Sequence, residues 1–429
     1  MVLAFAACVS AAACAAPPNI VVLFADDAGY ADFGFQAKAD PALAGLTPRI
    51  TTLAGEGVVF TNAYVSGAVC SPSRAGVMTG RYQQRFGHEK NIPPGYMKGG
   101  LPLDQKFQGD RLRPLGYRTG LIGKWHLGYP EPYRPNRRGF DEFFGLLQGS
   151  RPYFPMPKSS PYRSFLKNDE LTPEGGYATD RIGDGACDFI RANKDQPFFL
   201  FVSFTSPHGP LQPKPEDLKT IGKIGSERRR KYAGLVKSLD DNCGKILDCL
   251  EKEGLAGNTL VVFSNDNGGQ TQTGAVNTPL RGRKGEVLEG GIRVPMAMRW
   301  PGVIKPGGHI DTPVIALDWL PTFLDAAGAD PDGQLDGLSL LPLLKDSSAE
   351  LAARPLFWRT LGPKGPVAVR DGDWKLVILR GQPDAAPRLY NLKDDISESH
   401  DLSARQPETV ARLLEILRKW ESELVEPLW

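Results

Sequence analysis

The sequence predicts an α/β protein with a large, mixed but mostly parallel sheet sandwiched by helices, followed by a smaller C-terminal antiparallel sheet plus helix. Three observations predict it. Continuous apolar, β-branched runs recur along the first two thirds of the chain, and amphipathic stretches alternate with them. After about residue 350 the pattern changes to short strands separated by turn residues. Alternation of the first kind builds layered α/β domains, because each helix covers a sheet face that would otherwise meet water.

Asn19 to Phe24 (NIVVLF) reads as a strand buried on both faces, and similar runs follow at Gly120 to Gly123, Pro197 to Phe204 and Thr259 to Ser264. Tyr177 to Ala192 and Lys231 to Gly254 carry helical periodicity. Pro355 to Trp358, Val367 to Arg370, Trp374 to Leu379 and Arg388 to Leu392 read as short strands, and Glu408 to Leu424 as a closing helix. The chain has 429 residues, enough for two or three domains at about 150 residues each. A boundary near Asp346 divides a larger N-terminal domain, 17–346, from a C-terminal α+β subdomain, 347–429. No internal repeat or low-complexity tract is present.

Lys plus Arg number 51 against 49 Asp plus Glu, a net charge of +2, which excludes a basic nucleic-acid coat and an acidic tail protein. Nothing from Met1 to Ala25 is charged, and Met1 to Ala16 is almost entirely small or apolar. That run is shorter than the roughly 20 residues of a membrane span. It ends in Ala13-Cys14-Ala15-Ala16-Pro17-Pro18, a small-residue cleavage site followed by prolines, so residues 1–16 are expected to be an export signal. No Lys or Arg precedes the run, a departure from a full signal peptide, and a start codon upstream of Met1 stays open. The protein is expected to be exported, periplasmic or secreted, without an integral membrane span; a lipid anchor on Cys8 or Cys14 stays open. Cys70, Cys187, Cys243 and Cys249 remain, too few for a disulfide scaffold, and the last two lie on different faces of one predicted helix.

Ligands of open α/β sheets bind beyond the carboxyl ends of the strands. Here the strands end in Asp26-Asp27, in Lys124-Trp125-His126, in the segment reaching His208, and in Asp266-Asn267. Taken singly, paired aspartates or an Asn-Asp-Asn-Gly sequence are common turns and caps. Together, three carboxylates and a carboxamide form the hard oxygen shell that Ca²⁺, or less readily Mg²⁺, prefers.

Cys70-Ser71-Pro72-Ser73-Arg74, followed by Thr79-Gly80, could be a helix start with a buried cysteine. As C-x-P-S-R with T-G after four further residues, it resembles without a mismatch the signature of type I sulfatases of the alkaline phosphatase superfamily, an arylsulfatase-like group. Further matches run in that family's order: DD-x-G at Asp26 to Gly29, GKWHLG at Gly123 to Gly128, SPH-x-P at Ser206 to Pro210, SNDNGG at Ser264 to Gly269 and RKGEVLEGGIRVP at Arg283 to Pro295. The tail LYNLKDDISESHDLS, Leu389 to Ser403, is similar to the family's C-terminal domain.

The resemblance implies that a maturation enzyme oxidises Cys70 to Cα-formylglycine, whose hydrated diol is the nucleophile and passes through a sulfated enzyme intermediate. It implies that Asp26, Asp27, Asp266 and Asn267 hold Ca²⁺, with the Cys70 position as a further ligand and Asp266 accepting the nucleophile's proton. Arg74 and Lys124 would orient diol and sulfate, His126 would take a proton from the diol, and His208 and Lys284 would bind sulfate and protonate the leaving alcohol. Lys284 also reads as part of an ordinary basic loop, Arg281 to Lys284. Ser150 is a further expected sulfate contact. Tyr82, Arg85, His88, Arg134, Arg137, Arg138, Tyr153 and Phe154 are expected to rim the pocket, His88 and Arg138 foremost as substrate contacts, since aromatic and arginine side chains suit sugars and their sulfates. The RYQQRFGHE segment resembles sulfatases of polysaccharides or glycosaminoglycans more than choline sulfatases. A phosphonate or phosphodiester hydrolase of the same superfamily and a non-catalytic saccharide-binding relative stay open, the latter disfavoured because no expected ligand is missing.

Overall fold

The computed structural model describes residues 16–331, 333–383 and 385–429. The expected signal and the possible anchors Cys8 and Cys14 lie, except for Ala16, outside the described residues.

Five parallel strands form the centre of a ten-stranded sheet: Thr259–Asn265, Asn19–Ala25, Phe198–Ser203, Arg118–Lys124 and Glu142–Leu146, in that order. Beyond Thr259–Asn265 come the antiparallel Ala297–Arg299, then Val58–Phe60 and Gly308–Ile310. Beyond Glu142–Leu146 the short strands Leu166–Lys167 and Glu170–Leu171 turn antiparallel. Short antiparallel pieces at the flanks leave the long parallel strands covered by neighbours on both sides.

The apolar runs are continuous because the sheet is buried on both faces, and alternate residues enter different cores. Ile20, Val22 and Phe24 pack with Phe199, Phe201 and Val262 against Trp319 and Phe323. Val21, Leu23 and Ala25 face the other way, with Leu200, Val202 and Phe263, onto the helices Ala178–Ala192 and Glu227–Lys252. Period-two alternation thus feeds two layers from one strand. Within those two helices Cys187, Cys243 and Cys249 are buried free thiols, and the Cys249 thiol points at the Cys187 carbonyl, 3.8 Å away.

The C-terminal sheet is antiparallel in chain order: Leu356–Arg359, Val367–Asp371, Trp374–Ile378 and Arg388–Asn391, with the helix Pro407–Glu421 packed on it. Its core includes Tyr64, Tyr82 and Ile292 of the larger unit. Buried ionic contacts join the two units: Lys375 Nζ, itself 2.8 Å from Glu398 Oε1 of its own unit, lies 2.8 Å from Glu289 Oε1, and Arg359 Nε lies 3.1 Å from Glu89 Oε2.

Candidate active site

The carboxyl ends of the parallel strands converge at one place. Asp26 and Asp27 follow Asn19–Ala25, Lys124 ends Arg118–Lys124, and Asp266 and Asn267 follow Thr259–Asn265. Cys70 enters from the side as the first residue of the helix Cys70–Thr79. Cys70 and Arg74 are four residues apart, so one helix face presents both. The helix stops because Gly80 adopts φ 65° and closes it with a bond from its N–H to the Gly76 carbonyl. The Thr-Gly of the sequence motif is therefore the helix C-terminus.

Single ligand atoms of Asp26, Asp27, Cys70 and His208 lie within 4.8 Å of one another. Three cations interleave with the acids. Lys124 Nζ donates to Asp26 Oδ2 at 2.6 Å. Arg74 grips Asp266 Oδ2 through Nε at 3.1 Å and Nη2 at 2.8 Å, and its Nη1 donates to Ser203 Oγ at 2.5 Å. Lys284 Nζ sits 2.8 Å from Asp27 Oδ2 and 3.3 Å from Cys70 Sγ. His208 donates through Nδ1 to the Gly209 carbonyl, 2.7 Å away, which turns Nε2 toward Asp27 Oδ2 at 3.5 Å.

Burial sets the electrostatics. Desolvation and then the Asp266 charge push Asp26 above the usual carboxylate range. Asp27 and Asp266 stay below it despite the same burial, Asp27 through His208 and Lys284 and Asp266 through Arg74 and Lys124. Burial, then Asp266, pushes the Cys70 thiol up. An unmodified thiol in this place is protonated and a poor nucleophile. Burial, then the Lys124 and Arg74 charges, holds the His126 imidazole well below its ordinary value, so it is neutral.

Two site residues have left-handed backbone that non-glycine residues rarely adopt: Asp27 at φ 64° and His126 at φ 63°. Such a conformation costs about 1 kcal/mol or more and persists where surrounding bonds over-determine it. The Asp27 N–H donates to Asp266 Oδ1 at 3.3 Å, and Asn265 clasps the next residue through Ala28 N–H and carbonyl at 3.1 and 2.9 Å. The His126 N–H donates to the Leu147 carbonyl at 3.0 Å, while its own carbonyl accepts from Ser71 Oγ at 2.7 Å.

The donor set fits a hard divalent cation. Asn267 donates through Nδ2 to Asp27 Oδ1 at 2.8 Å, and its fully buried Oδ1 has no hydrogen-bond partner. A buried carbonyl oxygen beside three carboxylates and without a donor suits an oxygen-loving ion.

A cleft of about 210 Å³ opens above this cluster, lined by Cys70, His126, Gln148, Ser150, His208 and Lys284, with Asn91, Tyr129 and Gly149. A larger cleft of about 410 Å³ beside Phe144, Arg181 and Phe189 contains none of the clustered groups.

The expected rim needs correction. His88 is fully buried beneath the helix start, its Nε2 2.7 Å from Ser71 Oγ, and desolvation pulls its pKa down to about 3. Arg138 donates to the carbonyls of Leu101, Pro102 and Gln105 at 2.8 to 3.0 Å and lies over the Phe107 ring, so its charge secures loop backbone. Tyr82 packs on Phe357 and Trp420 under the C-terminal sheet, and Arg85 pairs with Asp336 and Glu423. Arg134 and Arg137 pair with Asp169. Tyr153 supports the His208 loop from within, its hydroxyl donating to the Thr205 and His208 carbonyls at 2.8 Å. Phe154 is half-exposed, with its ring edge on Tyr177. Apart from the exposed Phe154, these share one cause: the side chains found partners in neighbouring segments that local sequence does not reveal.

Sequence reasoning also missed Asn265, Ser203 and Gly149. Asn265 and Ser203 carried a signal, since each is the last polar residue of a buried strand. Gly149 did not: a Cβ there would stand 2.4 Å from His126 Cε1, a constraint visible only in three dimensions.

A family model described as Sulfatase matches residues 18–329, and one described as N-sulphoglucosamine sulphohydrolase, C-terminal, matches residues 283–423. An uncharacterised sulfatase, YdeN, of Escherichia coli K12 is 33% identical over 394 residues, covering 80% of this chain and 69% of that protein. N-acetylgalactosamine-6-sulfatase of Homo sapiens is 33% identical over 372 residues, covering 80% and 68%. Among solved structures, Ps i-CgsB in complex with k-i-k-neocarrahexaose superposes with a TM-score of 0.90 at 36% identity, covering 96% of this chain and 94% of that one.

Proposed function

We propose, from the premise that this chain belongs to the sulfatase family and is a sulfuric ester hydrolase, that it removes sulfate from a sulfated saccharide, with Cys70 matured to Cα-formylglycine and Ca²⁺ held by Asp26, Asp27, Asp266 and Asn267. The single observation that carries the reading is the position of Cys70. It stands at a helix N-terminus, among three carboxylates and three basic side chains, at the floor of a cleft wide enough for a small ester.

The buried thiol is too weak an acid to attack, which a family maturation enzyme would remedy by making the position an aldehyde. When hydrated, that group supplies a hydroxyl nucleophile and a second hydroxyl through which the aldehyde can re-form. Bound calcium supplies charge that polarises the ester and lowers the pKa of a hydroxyl beside it.

The chain's own residues do the rest. Asp26, Asp27 and Asp266 balance Arg74, Lys124 and Lys284, so a dication leaves the cluster net positive and suited to an anionic ester. Lys284 keeps its proton: burial opposes the charge, but the acidic groups around it, Cys70 and Asp27 first, outweigh that and hold its pKa high. Lys284 therefore faces a sulfate as a fixed cation, and Lys124 lies beneath it against Asp26. His126 is neutral, and its ring lines the cleft, so it can accept a proton from the Cys70 position. His208 is locked by its Nδ1 bond and presents Nε2 to the cleft, where it can donate to a departing alcohol oxygen. Ser150 is a further sulfate contact on the cleft wall.

The N-terminal residues 1–16 would direct export, periplasmic or secreted, with a lipid anchor on Cys8 or Cys14 as a variant of the same route. No helix among the described residues is long and apolar enough to cross a membrane.

The test is the mass of the proteolytic peptide carrying Cys70, from protein made in a host competent for formylglycine formation. The expected peptide is lighter than its thiol form by about one water's mass, and the same preparation releases sulfate from a sulfated oligosaccharide. A thiol that stays intact beside an active maturation enzyme would overturn the assignment.

A further inference from the structure

One arginine, held by the cleft-lining Gln148, differs from the others. Arg134 and Arg137 are paired with carboxylates, and Arg138 is spent on backbone carbonyls. Arg163 is exposed and, among the described residues, has no carboxylate at ion-pair distance. Its polar contact is a neutral one. With the Gln148 carboxamide turned so that its oxygen faces the guanidinium, Gln148 accepts from Arg163 Nε at 3.1 Å and Nη2 at 3.3 Å.

Hydrogen bonds and a ring contact hold the support around it. Gln148 is 8% exposed and lines the cleft that contains Cys70. Its N–H donates to the Tyr162 carbonyl at 2.9 Å, which joins the 160–164 segment to the end of the strand Glu142–Leu146. Within that segment Ser160 Oγ accepts from Arg163 N–H at 3.3 Å, and Ser160 N–H donates to Ser164 Oγ at 3.0 Å. The Tyr162 ring rests 4.9 Å from that of Tyr129, another wall of the cleft, and the Arg163 charge is felt at the Tyr129 hydroxyl. A guanidinium clasped by an amide on two of its nitrogens keeps its plane while retaining free donors and an unneutralised charge.

We propose that Arg163, oriented by Gln148, is a specificity-determining residue that binds a second anionic group on the saccharide, separate from the sulfate being removed. The planar donor fork suits two oxygens at once, which a second sulfate and a uronic carboxylate both offer. The inference rests on the saccharide-sulfatase reading. It adds that the preferred substrate carries at least two negative charges on the same or adjacent sugar rings.

Steady-state kinetics of the matured wild type, Arg163→Ala and Arg163→Lys test it on three matched sugars. One carries only the scissile sulfate, the second an additional sulfate and the third a carboxylate in its place. In the wild type, kcat/KM is expected to be higher for a doubly charged sugar, and comparing the second with the third identifies the anion. Arg163→Ala is expected to lower the ratio of doubly to singly charged kcat/KM about ten-fold, the low end for a charge-assisted hydrogen bond at an open site, through KM and with kcat little moved. Arg163→Lys recovers part of the ratio, since it restores charge without the fork, and the recovery shrinks at high salt. A ratio unchanged in Arg163→Ala, or an equal loss on all three sugars, would overturn the inference. A wild type with a verified Cys70 aldehyde that cleaves none of the three would overturn the saccharide reading and this inference with it.

Discussion

His126 meets the cleft from a left-handed backbone position with its ring flat against Gly149, where a Cβ would come within 2.4 Å of Cε1. The missing side chain is therefore what allows the imidazole to lie where a proton could reach it. Gly149→Ala is expected to displace the ring by about 1 Å and to lower kcat roughly 100-fold while changing KM much less, because misplacing a reacting group costs rate before it costs binding. Measuring kcat and KM separately on one sulfated sugar checks this, and an unchanged kcat would show that the ring's place does not depend on Gly149. At this scale the sequence was legible where a motif ties a residue to a strand end, as for Asp26, Asp27, Lys124 and Asp266. It was illegible where a side chain's partner comes from elsewhere. His88 and Arg138 look like substrate contacts in the sequence, yet one is bound to Ser71 beneath the helix and the other to three backbone carbonyls.

The helix Cys70–Thr79 is short, fully buried and has no side-chain cap at its start, so its stability comes from packing and from its C-terminus. Gly80 closes that end at φ 65°, and an added Cβ would meet the Leu320 and Leu335 side chains at 3.2 Å. Gly80→Ala is expected to cost about 1–2 kcal/mol, from the left-handed conformation and the crowding together. Denaturant midpoints of the two proteins read this directly; equal midpoints would mean that the helix end adapts freely. The strands were legible as elements because each long parallel strand is buried on both faces and so leaves an uninterrupted apolar run. The strand Glu142–Leu146 escaped notice because Glu142 and Gly145 interrupt its run, and its place in the sheet is set by pairing with Arg118–Lys124. The flanking strands of two or three residues are too short to carry a period at all.

For the molecule as a whole, the buried group around Glu289 joins the C-terminal sheet to the unit carrying the site. Glu289 lies in the segment that follows Lys284, and it meets Lys375 of the C-terminal sheet, Tyr64 at 2.6 Å and Arg293 at 3.3 Å. Burial alone would raise its pKa, but Lys375 and then Arg293 pull it down to about 2. A carboxylate whose folded pKa lies below its unfolded value contributes stability that is present above pH 4.5 or so and lost as pH falls toward 2. Glu289→Gln is expected to be less stable than wild type at pH 7, since it leaves Lys375 facing Glu398 alone. Its stability should also fall less steeply between about pH 5 and 2. Urea midpoints across that range check both, and parallel acid limbs would show that Glu289 does not carry the acid sensitivity.

By itself the sequence determined the α/β class, the strands that end in acid or base, and the signature around Cys70. These are local properties: burial on two faces dictates a run of apolar residues, and chemistry at a strand end requires particular residue types in a fixed order. Only the tertiary structure decided which of those residues meet, that three carboxylates and three cations share one buried cluster, and that Asn267 keeps an unpartnered oxygen beside them. It alone decided that His88 and Arg138 are bonded within the fold and that Arg163, held by Gln148, has no carboxylate partner among the described residues. Whether a charged side chain is spent on a neighbour or kept for a ligand depends on segments far away in the chain, and no local pattern encodes their approach.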